Sequence, residues 1–279
     1  MSLFSSRKWQ LDTQAYLNTC NISAALPRQQ IRDFAKGVND LGLWDSMVCW
    51  PLRSSQNYGS GTTAFSLGGL GRFDGTLVND PVWGSDGITF ATSSSVGRNR
   101  NITVPWSTSG GYDLRSNSTV FSVSNMNTAA AAEQFLLGSR AALNDGFGSV
   151  RLNNTTIVTG PLRVGQVAYA SFTGPSLSAD YRAWTTQREN NEAANSNVQG
   201  NKLWQDATQI ANGSNAAQTG FGAITQPSEV LIIGSGRGNA SVAVVGSIAF
   251  TAIFSNWTVN VSDIRTIYKE TIGQGLGLL

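Results

Sequence analysis

The sequence predicts a mainly β protein, an antiparallel β-sandwich preceded by a small helical module. Three observations predict it. From about Gly59 onward, short runs of Val, Ile, Thr, Phe and Trp alternate with Gly, Asn and Pro turn signals. Before that point, apolar residues recur at helical spacing. The 279 residues are enough for one large all-β domain with a sizeable core. The division expected is a helical module over 1–55 and a sandwich over 56–279.

The elements follow in order. Asp12 or Thr13 can cap a short helix carrying Ala15, Tyr16 and Leu17. A second helix is expected from about Pro27, suited to a first turn, to Leu41. Ile31, Phe34, Ala35, Val38 and Leu41 fall on one of its faces, and Gly42 supplies a stop. Leu43–Trp50 is a dense apolar patch ended by Pro51, a candidate seam between helices and sandwich or between subunits.

Ser66–Phe90 then places a Gly-rich entry, a strand start at Asp74-Gly75-Thr76-Leu77-Val78, a turn at Asn79-Asp80-Pro81, Trp83, and a second strand ending at Phe90. Thr119–Ser124, Gln134–Gly138, Gly148–Leu152, Gln166–Phe172 and Val230–Ile233 read as further short strands. Gly246–Phe254 is expected to place Ile248, Phe250, Ala252 and Phe254 on one buried face. Asp180–Gly220 is poor in apolar anchors and reads as long loop, with one strand at Asn201–Ile210. A closing helix carries Ser262 as N-cap, Asp263 in its first turn and the stripe Ile264, Ile267, Tyr268, and Gly273 ends it.

Composition removes whole classes of function. Only 13% of residues are charged and the net charge is +2, so no strong field gathers nucleic acid or acidic membranes. No apolar run is long enough to span a bilayer, and MSLFSSRKWQLDT has no apolar core of a secretory signal. Histidine is absent, which removes His-based triads, histidine general bases and His-ligated zinc together. Cys20 and Cys49, in a chain made in a reducing cytosol, are expected reduced and buried.

Several pieces resemble the laminin-G/concanavalin A-like lectin family over roughly residues 60–272. They are Asp74–Val78 with Trp83, Gly87–Phe90, Val167–Phe172, Leu231–Gly234, Gly246–Phe250, and Ser262-Asp263-Ile264 leading to Ile267-Tyr268. The resemblance implies a jelly-roll sandwich. Ile31-Arg32-Asp33-Phe34, Gly42-Leu43-Trp44-Asp45, Trp50-Pro51-Leu52 and the ending Gly273–Leu278 look similar to the helical leader and tail of bacteriophage-encoded proteins that carry such domains. That likeness implies a virion structural protein, a decoration or fibre module on head or tail. It would be made in the host cytoplasm, partnered by other capsid or tail proteins, and homo-oligomeric, with a trimer among the options. The alternative is a receptor-binding lectin for host cell-surface glycan.

The chemistry of the residues favours binding over catalysis, and no cofactor is called for. Glucanases of this fold alternate carboxylates on one strand, about 5–5.5 Å apart for retaining chemistry. Glu133, Glu189, Glu192, Glu229 and Glu270 show no such alternation, and Glu189 and Glu192 sit in loop-like sequence. Gly234-Ser235-Gly236-Arg237-Gly238 follows an apolar strand, but its continuation reads as strand, so it is a turn and not a phosphate loop. Asp74, Asp80, Asp86 and Asp113 are turn aspartates on a rim where relatives can hold calcium, without a ligand run that names a metal site. The Asn-x-Ser/Thr sequons read as unglycosylated polar positions. For a glycan, the candidate contacts are aromatic rings beside polar loop sequence: Trp106, Tyr112, Trp184 and Trp204. Trp44, Trp50, Trp83 and Trp257 read as core or helix-docking residues.

Overall fold

The computed structural model describes residues 5–91, 99–106, 118–126, 134–139, 151–153, 156–159, 170–173, 180–188, 201–213, 230–235, 244–256 and 258–278. Helices α1 (Ser5–Thr19) and α2 (Ala25–Asp40) lead to a 3-10 turn, Trp44–Ser46, and a last helix, α3 (Val261–Glu270), follows the strands. The strands are β1 (Met47–Pro51), β2 (Thr63–Ala64), β3 (Gly75–Val78), β4 (Val82–Trp83), β5 (Ile88–Ala91), β6 (Asn101–Pro105), β7 (Ser118–Met126), β8 (Gln134–Phe135) and β9 (Leu137–Ser139). They continue as β10 (Arg151–Asn153), β11 (Thr156–Thr159), β12 (Ala170–Thr173), β13 (Arg182–Arg188), β14 (Asn201–Gln205), β15 (Thr208–Gly213), β16 (Val230–Ile233) and β17 (Gly246–Phe254).

An eight-stranded sheet runs β15-β14-β13-β7-β17-β5-β4, with β1 also paired to β17. A five-stranded sheet runs β2-β3-β6-β16-β9, and a four-stranded one β12-β11-β10-β8. Every strand pair among the described residues is antiparallel. The molecule is a mainly β, antiparallel sandwich with a small N-terminal helical module, as the sequence predicts. No helix among the described residues is long and apolar enough to cross a membrane.

Two cores sit on opposite faces of the large sheet. Trp50, Phe90, Trp184, Ile248 and Ile253 from that sheet meet Leu77, Ile102, Val104, Leu231 and Ile233 of the five-stranded sheet. On the other face Met47, Cys49, Phe121, Phe250 and Phe254 meet Leu17, Ile31, Phe34, Ile264 and Tyr268 of the helices. The period-2 alternation of β1 does the joining: Val48 and Trp50 enter the first core, Met47 and Cys49 the second. The apolar patch 43–50 is therefore a seam within the chain. Residues 47–51, which the sequence reading grouped with the helical module, pair with β17 of the large sheet.

Several details differ from the sequence reading. The first helix starts before Asp12 and Thr13, which lie inside it. In α3 the cap is Asn260, whose Oδ1 accepts from the N–H groups of Ser262 and Asp263 at 3.0 and 3.4 Å; Ser262 is already helical. Asn201–Ile210 is not one strand but the hairpin β14–β15, turned at Asp206 with φ +55°. Asn79 and Asp80 both adopt left-handed φ, and the turn carries the chain from one sheet to the other instead of closing a hairpin. On β17, Ile248 leaves the face shared by Phe250, Ala252 and Phe254. A register shift at Ala249 leaves one residue unpaired, so Ala249 and Phe250 both face the helices.

Candidate functional site

A cleft of about 290 Å³ opens where α1 docks on the segment from Phe65 to Asp74. That segment is fixed from below. Leu67 and Cys49 exchange both backbone bonds, at 2.7 and 2.8 Å, Gly69 N–H donates to Trp44 O, and Leu70 N–H donates to Met47 O. Buried Asn57 clamps its start, donating to Phe65 O at 2.9 Å and accepting from Phe65 N–H at 3.1 Å. Its end is folded back by Asp74, whose Oδ1 accepts from the N–H and the hydroxyl of Ser66.

The opposite wall is one face of α1. Lys8, Asp12, Ala15 and Thr19 recur at i, i+4, i+7 and i+11. Lys8 crosses the gap, donating to Asp45 Oδ1 at 2.7 Å and to Gly69 O at 2.8 Å. Asp12 accepts from the Trp44 indole N–H at 3.0 Å. Arg72 donates Nε–H to Asp74 Oδ2 at 2.6 Å and lays its guanidinium 5.7 Å from the centroid of the Phe65 ring. Beneath, Tyr16 donates its hydroxyl to Gln56 O at 2.6 Å. Burial holds that phenol well above its ordinary range, with Cys20 adding to the shift, so it stays a donor at neutral pH.

This arrangement offers hydrogen-bond partners. Carboxylate acceptors, an ammonium, a guanidinium and the exposed Thr19 hydroxyl surround a small apolar floor of Ala15 and Leu67. The Ser66 hydroxyl is fully used, donating to Asp74 and accepting from Phe73 N–H at 2.7 Å. The nearby thiols are buried and protonated: burial pushes Cys20 up to about 12 and Cys49 well above its ordinary value. Both are free and buried, as expected from the sequence.

Trp106, Trp184 and Trp204 lie elsewhere. Trp106 is 0% exposed and packs on Phe73, with ring centroids 4.6 Å apart; Trp184 is 1% exposed. Both belong to the core between the sheets, so neither presents a ring to a ligand. Local polarity of the sequence misplaced them, because Trp106 directly follows β6, whose alternate residues Ile102 and Val104 are buried, and Trp184 pairs with Ser122 on the inner face of β7. Trp204 is half-buried on β14, its indole N–H donating to Gln187 Oε1 at 3.1 Å, away from the cleft. Tyr112, Asp113, Glu189, Glu192 and Trp257 lie outside the described residues. Of the described turn aspartates, Asp74 lines the cleft and Asp80 and Asp86 do not.

No family model and no curated protein sequence matches the chain. Solved structures do. A Trypanosoma rangeli sialidase in complex with sialic acid superposes with TM-score 0.57 at 13% identity, over 96% of this chain and 38% of the other. A mutant of that sialidase with trans-sialidase activity gives 0.58 at 13% identity, over 97% and 39%. The binding domain of botulinum neurotoxin serotype D gives 0.55 at 12% identity, over 82% and 53%. The fold is that of a lectin-type β-sandwich. The chain spans less than two fifths of the length of those sialidase chains, and at this identity the likeness extends to fold alone.

Proposed function

We propose that this chain is a non-catalytic, carbohydrate-binding module, that its site is the cleft between α1 and the 65–74 segment, and that it serves on a phage virion as a surface or appendage part. The cleft carries the reading: a preformed concavity lined by hydrogen-bonding side chains over a small apolar floor, on a lectin-type sandwich. With no histidine in the chain and the Ser66 hydroxyl engaged in structural bonds, a His-activated serine mechanism has no parts in this cleft. The virion setting is supported by the resemblance of the leader around Ile31–Phe34 and Gly42–Asp45 to phage-encoded chains. A glycan array with the full chain tests the binding reading. Specific binding lost in Ala15→Trp, which plugs the cleft from an exposed helix position, supports it. No binding across bacterial and host glycans overturns it, and hydrolysis of a bound glycan overturns the non-catalytic part.

A second reading, an architectural part of the particle, is favoured by Leu11 and Leu26, which stay 70% and 65% exposed on the helical module although the two cores are closed. Its measure is copy number in purified particles against the major capsid protein. A number commensurate with the icosahedral lattice means decoration, a small one matching tail symmetry means a fibre or baseplate part, and absence ends the virion reading.

A further inference from the structure

Resting on the reading of the cleft as a carbohydrate site, we infer that it takes a neutral, hydroxyl-rich sugar ring and rejects acidic sugars. The charges around it settle the class of ligand. Lys8 Nζ lies 2.7 Å from Asp45 and 3.9 Å from Asp12, and Arg72 Nε lies 2.6 Å from Asp74. Two cations thus stand among three carboxylates, and each cation is already compensated. An incoming carboxylate or sulfate would reach the remaining N–H donors of Arg72 and Lys8 only beside the carboxylates that already compensate those cations, so like-charge repulsion opposes it.

A neutral ring meets no such barrier. Its hydroxyls donate to the carboxylate oxygens, and hydrogen bonds to an ionised acceptor are the stronger kind. The same hydroxyl oxygens accept from Arg72, whose hydrogen bond to Asp74 uses Nε–H, and from Thr19. The C–H face of the ring lies over Ala15 and Leu67. The volume, about 290 Å³, is at the bottom of the ~300–1,000 Å³ of small-ligand clefts, which suits a ring or two and not a long chain enclosed along its length.

The experiment is a glycan array bearing neutral hexoses and N-acetylhexosamines beside sialylated, uronate-containing and sulfated glycans. Calorimetry follows on the best ligand of each class. Binding confined to neutral glycans is expected, with Kd changed less than about twofold between about 50 and about 500 mM salt. Ala15→Trp weakens it by about tenfold or more with Tm unchanged, because steric exclusion removes most of the contact. Asp12→Asn weakens it while keeping the shape. Preference for acidic glycans that is lost in Ala15→Trp overturns the neutral class and leaves the carbohydrate reading standing. Binding indifferent to Ala15→Trp places the site elsewhere and overturns the cleft assignment. No binding of either class overturns both.

Discussion

Asp74 holds Ser66 by two hydrogen bonds to one carboxylate oxygen, from the backbone N–H at 2.9 Å and the hydroxyl at 3.2 Å. Ser66 returns the chain on itself by accepting from Phe73 N–H, and Arg72 occupies the second oxygen of Asp74. One side chain therefore closes the loop that forms a wall of the cleft. Asp74→Ala leaves the Ser66 N–H without its partner and is expected to destabilise by about 1–3 kcal/mol. Asp74→Asn keeps an acceptor and should cost less. Urea unfolding of the pair checks this, and equal losses would mean that the carboxylate's charge, shared with Arg72, carries the effect and a neutral acceptor does not replace it.

Trp106→Ala and Trp184→Ala are expected to cost about 3–5 kcal/mol each, because each empties a large volume in the core between the sheets. Trp204→Ala, at a half-buried position near the sheet edge, should cost clearly less. Denaturant midpoints of the three variants rank them. A small effect at Trp106 or Trp184 would contradict the packing. Loss of ligand binding in those two is attributable to unfolding unless Tm is unchanged.

The helices and most strands were legible because their apolar spacing is local: Ile31, Phe34, Ala35 and Val38 of α2 are all buried, and β16 and β17 carry the bounds read from the sequence. The face of Ile248 was not, because the shift at Ala249 depends on which strands flank β17. The cleft was not read from the sequence, although its parts are local. Lys8, Asp12, Ala15 and Thr19 form a polar stripe at helical spacing, and Ser66–Asp74 opens the first sandwich stretch. Their meeting is tertiary, made by Lys8 reaching Asp45 and Gly69. Trp106 and Trp184 are buried for a related reason: polar neighbours in sequence say nothing of the face on which a strand residue points.

Alkaline pH should unfold the protein from its helical core. Burial pushes the Cys20 thiol from 9.0 up to about 12 and raises Cys49 and Tyr16 as well. Between those values the unfolded chain has lost the proton that the folded chain keeps. The stabilising effect of these groups is thus fully present below pH 9.0 and is lost as pH rises through the folded value near 12. Thermal melts at stepped pH should show Tm falling over that window. Cys20→Ala should flatten part of the fall, and a slope unchanged in that variant would assign the effect to other groups. By the same physics both thiols resist a disulfide-exchange reagent at neutral pH until the chain is unfolded.

Gly42 and Gly246 both hold positive φ, at +71° and +136°, and they separate two costs of adding a methyl group. Around Gly42, after α2, a Cβ would meet nothing within 4 Å, so Gly42→Ala carries only the left-handed backbone penalty, about 1–2 kcal/mol. At Gly246, where the register of β17 shifts, a Cβ would overlap the Asn125 carbonyl oxygen of β7. Backbone cannot yield there without parting the central strand pair that carries both cores. Gly246→Ala is therefore expected to exceed Gly42→Ala by at least about 1 kcal/mol, since strain at a fixed backbone position adds to the conformational cost. Guanidinium unfolding of the two variants decides it. Equal losses would mean that the strands part freely at Gly246.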